Sequence, residues 1–167
     1  MDVGLLVGRV IVGVLMSAHG AQKLFGWFGG YGLSGTGGFF EGLGFRPGRA
    51  FAAAAGTAEW AGGLLLALGL FEPAAAAAIL SVMIVATTTV HWPNGLLSAN
   101  GSEKTLLYGS AAVALALTGP GAYSLDAVVG LLPLWTPAVK VAALLVGAIG
   151  VFANLALRRP AAQAVRG

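Results

Sequence analysis

Long apolar runs broken by short polar or Gly/Pro-rich stretches set the pattern of this chain. Five runs, at residues 3–25, 47–71, 73–91, 103–118 and 137–157, are continuous in Ala, Leu, Val, Ile and Gly. Each is read as long enough to cross about 30 Å of hydrocarbon at about 1.5 Å per residue. None alternates apolar and polar residues as a barrel strand must. Helices therefore remain as the spanning structure, since lipid leaves no partner for an unpaired backbone group. The expected fold is all-α, a polytopic transmembrane helical bundle forming a single membrane domain over residues 1–167.

The boundaries carry their own signals. Pro47, Pro73 and Pro137 fall at helix starts, where the missing N–H leaves nothing unpaired. Thr136 and Ser102 stand where an N-cap is wanted, and Glu72 and Glu103 suit the positive end of a helix dipole. The stretch "TGPGAYSLD" stops the fourth helix, and "LDAVVGLLP" is too short to span, so a helix lying at the interface is expected there. Between the first two spans, "FGWFGGYGLSGTGGFFEGLGF" holds too many aromatics for a solvated linker and too many glycines for a long helix. A structured Gly/aromatic loop over residues 26–46 is expected, with one turn of helix at 39–43.

Composition confirms lipid as the solvent. The chain of 167 residues is 57% hydrophobic and 9% charged, against roughly 25% charged in soluble domains, and its mean hydropathy is +0.87. The formal charge of +3 comes with Arg158, Arg159 and Arg166 just beyond an apolar run, a membrane signal and not a nucleic-acid one. No basic region precedes the first run, so residues 5–25 are expected to stay as a span and not to be cleaved as a signal peptide. Five spans with an inside C-terminus put the N-terminus outside. Lys23, Arg46, Arg49 and Lys104 then join the cytoplasmic side, Glu72 and Asp126 the outer side, and Lys140 is left to snorkel. There is no cysteine, which excludes disulfides, Cys-ligated zinc, iron–sulfur clusters and thiol chemistry on this chain.

The candidate chemistry lies in "LMSAHGAQKLFGWFGG" and its surroundings. On a helix advancing 100° per residue, Arg9, His19 and Lys23 fall within an arc of about 80°, on a face shared with Gly13 and Gly20, a stripe that faces protein. Glu59, flanked by Gly56 and Gly63, offers a counter-charge within the second span. Its expected partner is Arg9, or else His19 with Lys23. His91, in "TTTVHWPNG", arrives at the same face as His19, with Asn94 and Glu103 nearby. Each residue also has a plainer role: Lys23 snorkelling, Arg9–Glu59 fixing helix register, His91 capping a helix end. Together they form an intramembrane ionisable cluster, and such clusters are functional candidates. Two histidines without a carboxylate pair give no expected metal site, a bis-His haem is a minor alternative, and no phosphate loop or Ser-His-Asp arrangement is present.

These residues lie in segments that together resemble a family. "RVIVGVLMSAHGAQKLFGWFGGYGLSGTGGFFEGLG", the Glu of "AEWAGGLLLALGL", "VHWPNGLLSANGSE" and "LTGPGAYSLD" are similar to the DoxX family of bacterial integral membrane proteins, over residues 5–128. The resemblance implies a four-span bundle, to which the segment from Pro133 adds a fifth span. It implies Arg9, His19, Gly20, Lys23, Glu59, His91, Asn94, Glu103 and Asp126 as the matched motif positions. Relatives include the DoxD subunit of a thiosulfate:quinone oxidoreductase and members linked to redox-defence complexes. The expected function is the membrane subunit of a quinone-linked redox system in the bacterial plasma membrane. A quinone is then the expected cofactor or substrate, bound among Arg9, His19, Lys23, Glu59, His91, Asn94 and Glu103. Soluble redox enzymes or a second copy are the expected partners besides the lipid bilayer, with no nucleic acid. The alternatives are a carrier or channel for a small anionic or polar solute, and a scaffold recruiting soluble enzymes.

Overall fold

The computed structural model describes residues 2–159, and Arg166 lies outside them. Among the described residues the secondary structure is helical: α1 (Asp2–Phe25), α2 (Gly32–Gly42), α3 (Gly48–Leu68), α4 (Glu72–Ala86), α5 (Glu103–Thr118), α6 (Leu125–Val128) and α7 (Pro137–Ala156). Beyond α4 the chain continues through a π-helical turn, Thr87–His91, and a 3-10 turn, Trp92–Asn94. Four helices are long and apolar enough to cross a membrane: α1, α3, α4 with its two terminal turns, and α7. At 16 residues α5 spans only about 24 Å, yet it joins the same two ends of the bundle.

The five long helices alternate in direction. At one end, here the Arg9 end, the Arg9 guanidinium donates to the carbonyls of Pro120 and Tyr123 beyond α5. Lys140, in the first turn of α7, donates there to Leu117 O and Thr118 O, and so is anchored to the end of α5. At the opposite, His19 end, Arg158 Nε donates to Leu43 O at 2.7 Å and the Arg159 N–H to Gly44 O at 2.8 Å. These two bonds tie the end of α7 to the α2–α3 connection.

The α1–α3 hairpin is the closest contact, and glycine makes it possible. A Cβ on Gly13 would lie 2.5 Å from Gly63 O and 2.6 Å from Ala67 N, so only two backbones without side chains fit there. Ser17 Oγ donates across the same seam to Trp60 O at 3.1 Å. Behind the hairpin, Met16, Leu66, Ala76, Ile79, Ala112 and Ala116 are wholly buried and close the core between α1, α3, α4 and α5. The outer face of α7, with Leu145, Val146, Ile149 and Phe152 exposed, is natural only against lipid.

The α3–α4 turn is held by a distant residue. Gly69 ends α3 in the left-handed region (φ 64), with Leu70 N–H on Leu65 O, a Schellman stop. Phe71 follows, also left-handed at φ 48, where a side chain is strained. Asp126 locks it: Oδ1 accepts from Phe71 N–H at 2.9 Å, and Oδ2 accepts from Glu72 N–H at 3.2 Å and Trp135 Nε1 at 2.9 Å.

Several local expectations change. The turn expected at 39–43 belongs to an 11-residue helix, Gly32–Gly42. Tertiary packing outweighs its glycines: Thr36 Oγ1 donates to Lys23 O, Glu41 Oε1 accepts from Gly48 N–H, and Gly37 lets Arg49 approach. The helix expected at the interface from Leu125 lasts one turn, and its Asp126 is fully buried because it caps α4. Thr136 caps α7, accepting from Val139 N–H. Ser102 makes no such cap, since its hydroxyl turns to Gly95 O. Pro47 precedes α3 as its N-cap residue, outside the first turn.

Candidate functional site

Lys23 and Glu59 form the ion pair that anchors the His19 end. Lys23 Nζ lies 2.5 Å from Glu59 Oε1, with the lysine side chain 26% exposed and the glutamate 2%. Glu59 Oε2 is buried without a partner. The alternative pairing with Arg9 does not occur, for a geometric reason. Gly13 meets Gly63 and Gly20 meets Gly56, so Glu59 stands level with Ser17. Along the axis Lys23 and Arg9 are then offset from it by about 9 Å and about 12 Å. Side chains lean toward their own helix N-terminus. Lys23 and Glu59, on antiparallel helices, therefore lean toward each other, while Arg9 leans away toward the opposite end.

His19 stands one turn before Lys23. Its ring meets Tyr108 of α5 edge-on, with centroids 5.8 Å apart, and its Nδ1 lies 3.2 Å from Gln22 Oε1. Gln22 Nε2 donates onward to Phe28 O in the aromatic loop. His91 reaches this end from α4 through the π turn, a feature frequent at functional sites. Its Nδ1–H donates to Asn100 O at 3.0 Å, which leaves Nε2 as the acceptor of the neutral ring. Three threonine hydroxyls bond back to preceding carbonyls along this turn, and Thr87 also bonds Thr105 of α5 at 2.7 Å.

A cavity of about 1060 Å³ joins these groups. Its lining includes His19, Lys23, Glu59 and His91, with Gln22, Lys104 and Tyr108 as further polar groups, Phe39, Phe40, Phe45 and Phe51 as an aromatic wall, and small apolar residues of α3, α4 and α7. Three expected members are not on its wall. Arg9 is at the other end of the bundle, Asn94 bonds Val90 O and Asn100 O behind His91, and Glu103 begins α5 with Oε2 buried and unpartnered. Lys104 and Tyr108 were missed by sequence reasoning. Their i, i+4 spacing puts them on one face of α5, the signal that would have found them. The contribution of α7, through Gly147, Gly150 and Asn154, had no signal in an otherwise apolar helix.

The arrangement offers donors from Lys23 and Tyr108, acceptors in Glu59 Oε2 and in the Nε2 of each histidine, whose Nδ1–H is spent on Gln22 Oε1 or Asn100 O, and an apolar volume beside them. It can hold a small molecule by its polar head and exchange protons with it. Among the described residues no group of three or more His, Asp or Glu is placed to hold a metal ion. Among known protein families, the model of the DoxX family matches residues 4–92. No curated protein and no solved structure matches the chain.

Proposed function

The chain belongs to the DoxX family, and on that premise we propose that it is the membrane subunit of a quinone-linked redox system, with the Lys23–Glu59 cavity as its binding site. The observation that carries this reading is the single cavity that joins Lys23, Glu59, His19 and His91 to a large apolar volume. Its size lies at the upper end of ligand pockets, roughly 300–1,000 Å³, and suits a ring with a hydrocarbon tail. A quinone supplies two-electron chemistry coupled to protons. Toward it this chain's own groups bind and orient: Lys23 Nζ and the Tyr108 hydroxyl donate to carbonyl oxygens, and the Nε2 atoms of His19 and His91 accept protons near that head. Glu59 holds Lys23 Nζ in place beside the cavity. With no cysteine in the sequence, the electrons are assigned to a soluble partner enzyme.

Lys23, Arg46, Arg49, Lys104, Arg158 and Arg159 collect at the His19 end, against Arg9 and Lys140 at the other. The positive-inside bias assigns the His19 end to the cytoplasm of a bacterial cell and the N-terminus to the outside. Reporter fusions at both termini test this, and two cytoplasmic termini would reverse it. The carrier reading is supported less well, because Met16, Leu66 and Ile79, each 0% exposed, close the bundle between its two polar ends.

The test of function is ligand-induced thermal stabilisation of purified protein by a benzoquinone analogue. Wild type should be stabilised by the quinone and by its hydroquinone, while His19→Phe, which keeps the aromatic contact with Tyr108, should lose about tenfold in affinity for the hydroquinone, the value of roughly one hydrogen bond. Equal stabilisation of both proteins would make His19 structural and remove the residue-level basis of the redox reading.

A further inference from the structure

The walls of the cavity divide by chemistry. One part, at the His19 end, carries His19, Lys23, Glu59, His91, Lys104 and Tyr108. The other runs along the α4 groove between α3 and α7. Both helices pack on α4, with no packed interface between them. The walls of this limb are apolar: Phe51, Ala54 and Ala58 on α3, Ala78 on α4, Val146 and Gly150 on α7. Its two polar side chains are turned to the backbone. Ser81 Oγ donates to Ala77 O at 2.8 Å and lies 2.9 Å from Gly147 O, and Asn154 Nδ2 donates to Gly150 O at 2.8 Å. A Cβ on Gly150 would meet nothing within 4 Å, and Ala54 is exposed. The limb is therefore a narrow apolar channel on the lipid-facing side of the bundle, continuous with a charged head site.

We infer that the ligand is an amphiphile whose hydrocarbon chain lies in the α3–α4–α7 limb and leaves sideways into the bilayer, while its polar head sits at Lys23–Glu59. The inference rests on the cavity proposed above as the binding site, and it adds the substrate class and the route of entry. A water-soluble solute has no use for an apolar limb. A slender chain fills it and gains from every methylene removed from water.

The experiment titrates purified full-length protein in one detergent with two series: benzoquinones and alkyl carboxylates, each with chains from methyl to decyl. Wild type, Gly150→Trp and Ala54→Trp are compared, with Gly150→Leu and Ala54→Leu as milder fillings should a Trp variant not fold. All share the micelle, so differences between them isolate the limb. In wild type, affinity should rise with chain length, at most about fourfold per methylene. In the filled variants the decyl members should lose about tenfold or more, while the methyl members stay within about twofold. Quinone affinity that does not depend on chain length, or that gains equally in the variants, overturns the inference and leaves the redox reading standing. Alkyl carboxylates that show the gain, with quinones failing at every length, overturn the redox reading and support the amphiphile. Failure of both series overturns both.

Discussion

Two polar clusters occupy opposite ends of one bundle and use charge differently. At the Arg9 end a fully buried guanidinium grips two carbonyls of the Gly119–Ser124 loop, facing the buried carboxylates of Glu72 and Asp126. Asp126 spends its oxygens on Phe71 N–H, Glu72 N–H and the Trp135 indole. Nearly every bond there joins distant parts of the chain; Arg9 Nε and both Glu72 oxygens are buried without a partner, but the cavity does not reach them. At the His19 end the ion pair is partly exposed, Glu59 Oε2 has no partner, and the surrounding groups line open volume. A buried charge cluster that knits distant backbone together and is sealed from any open volume serves assembly. One that leaves atoms free beside a cavity is available to a ligand.

The largest break in this comparison should come at Arg9. Arg9→Met strips the buried Glu72 and Asp126 of a facing cation and leaves two carbonyls unpartnered. A loss of about 3–5 kcal/mol is expected for such an uncompensated site. Lysine should not rescue it, since one ammonium cannot reproduce the fork on two carbonyls. Adding Glu72→Leu should recover part of the loss by removing one stranded carboxylate. Unfolding in mixed micelles checks both, and strictly additive effects would show that Arg9 and Glu72 do not interact.

Asp126→Ala should come next, at about 2–4 kcal/mol, because one substitution removes the N-terminal cap of α4 and the indole bond. Tryptophan emission should report release of Trp135 as the protein loosens. A loss under about 1 kcal/mol would mean that the Phe71 turn holds itself.

How much of this was legible follows from which interactions are local. The spans were readable from apolar run length, and the α1 face from the spacing of Gly13, Gly20, His19 and Lys23. Which acid met which base was not, since it turns on the hairpin register and on the lean of side chains toward each helix N-terminus. The α2 helix was hidden because glycine argues locally against helix while contacts from Lys23, Gly48 and Arg49 argue for it. Asp126 was identified as a matched motif position, but its three donors lie 54, 55 and 9 residues away, and no pattern in the chain announces them. The wall contributed by α7 was likewise invisible, since glycines in an apolar span look the same whether they face lipid or a cavity.

At the other end the balance between stability and binding should reverse. Lys23→Met should lower stability by about 1–2 kcal/mol only, because the Lys23 side chain is partly exposed and water entering the cavity can solvate Glu59. Quinone affinity should fall by about tenfold or more. Stability loss matching that of Arg9→Met, with binding retained, would put both clusters in the same structural role.

The smallest effect separates the two histidines. His19 contacts Gln22 and Tyr108 through side chains alone, whereas Nδ1–H of His91 holds the Asn100 carbonyl and so ties the 95–102 loop to the π turn. His91→Phe removes one hydrogen bond at a half-exposed site, a net change of about 0.5–1.5 kcal/mol. It should also speed hydrogen exchange in that loop without touching α1. His91→Asn, whose amide keeps a donor, should recover part of the loop protection but not the proton-holding nitrogen. If the loop is unchanged in His91→Phe while hydroquinone affinity falls as in His19→Phe, His91 acts on the ligand directly. If the loop loosens and affinity holds, His91 belongs with the Arg9 cluster as an assembly residue, and the site narrows to His19, Lys23 and Glu59.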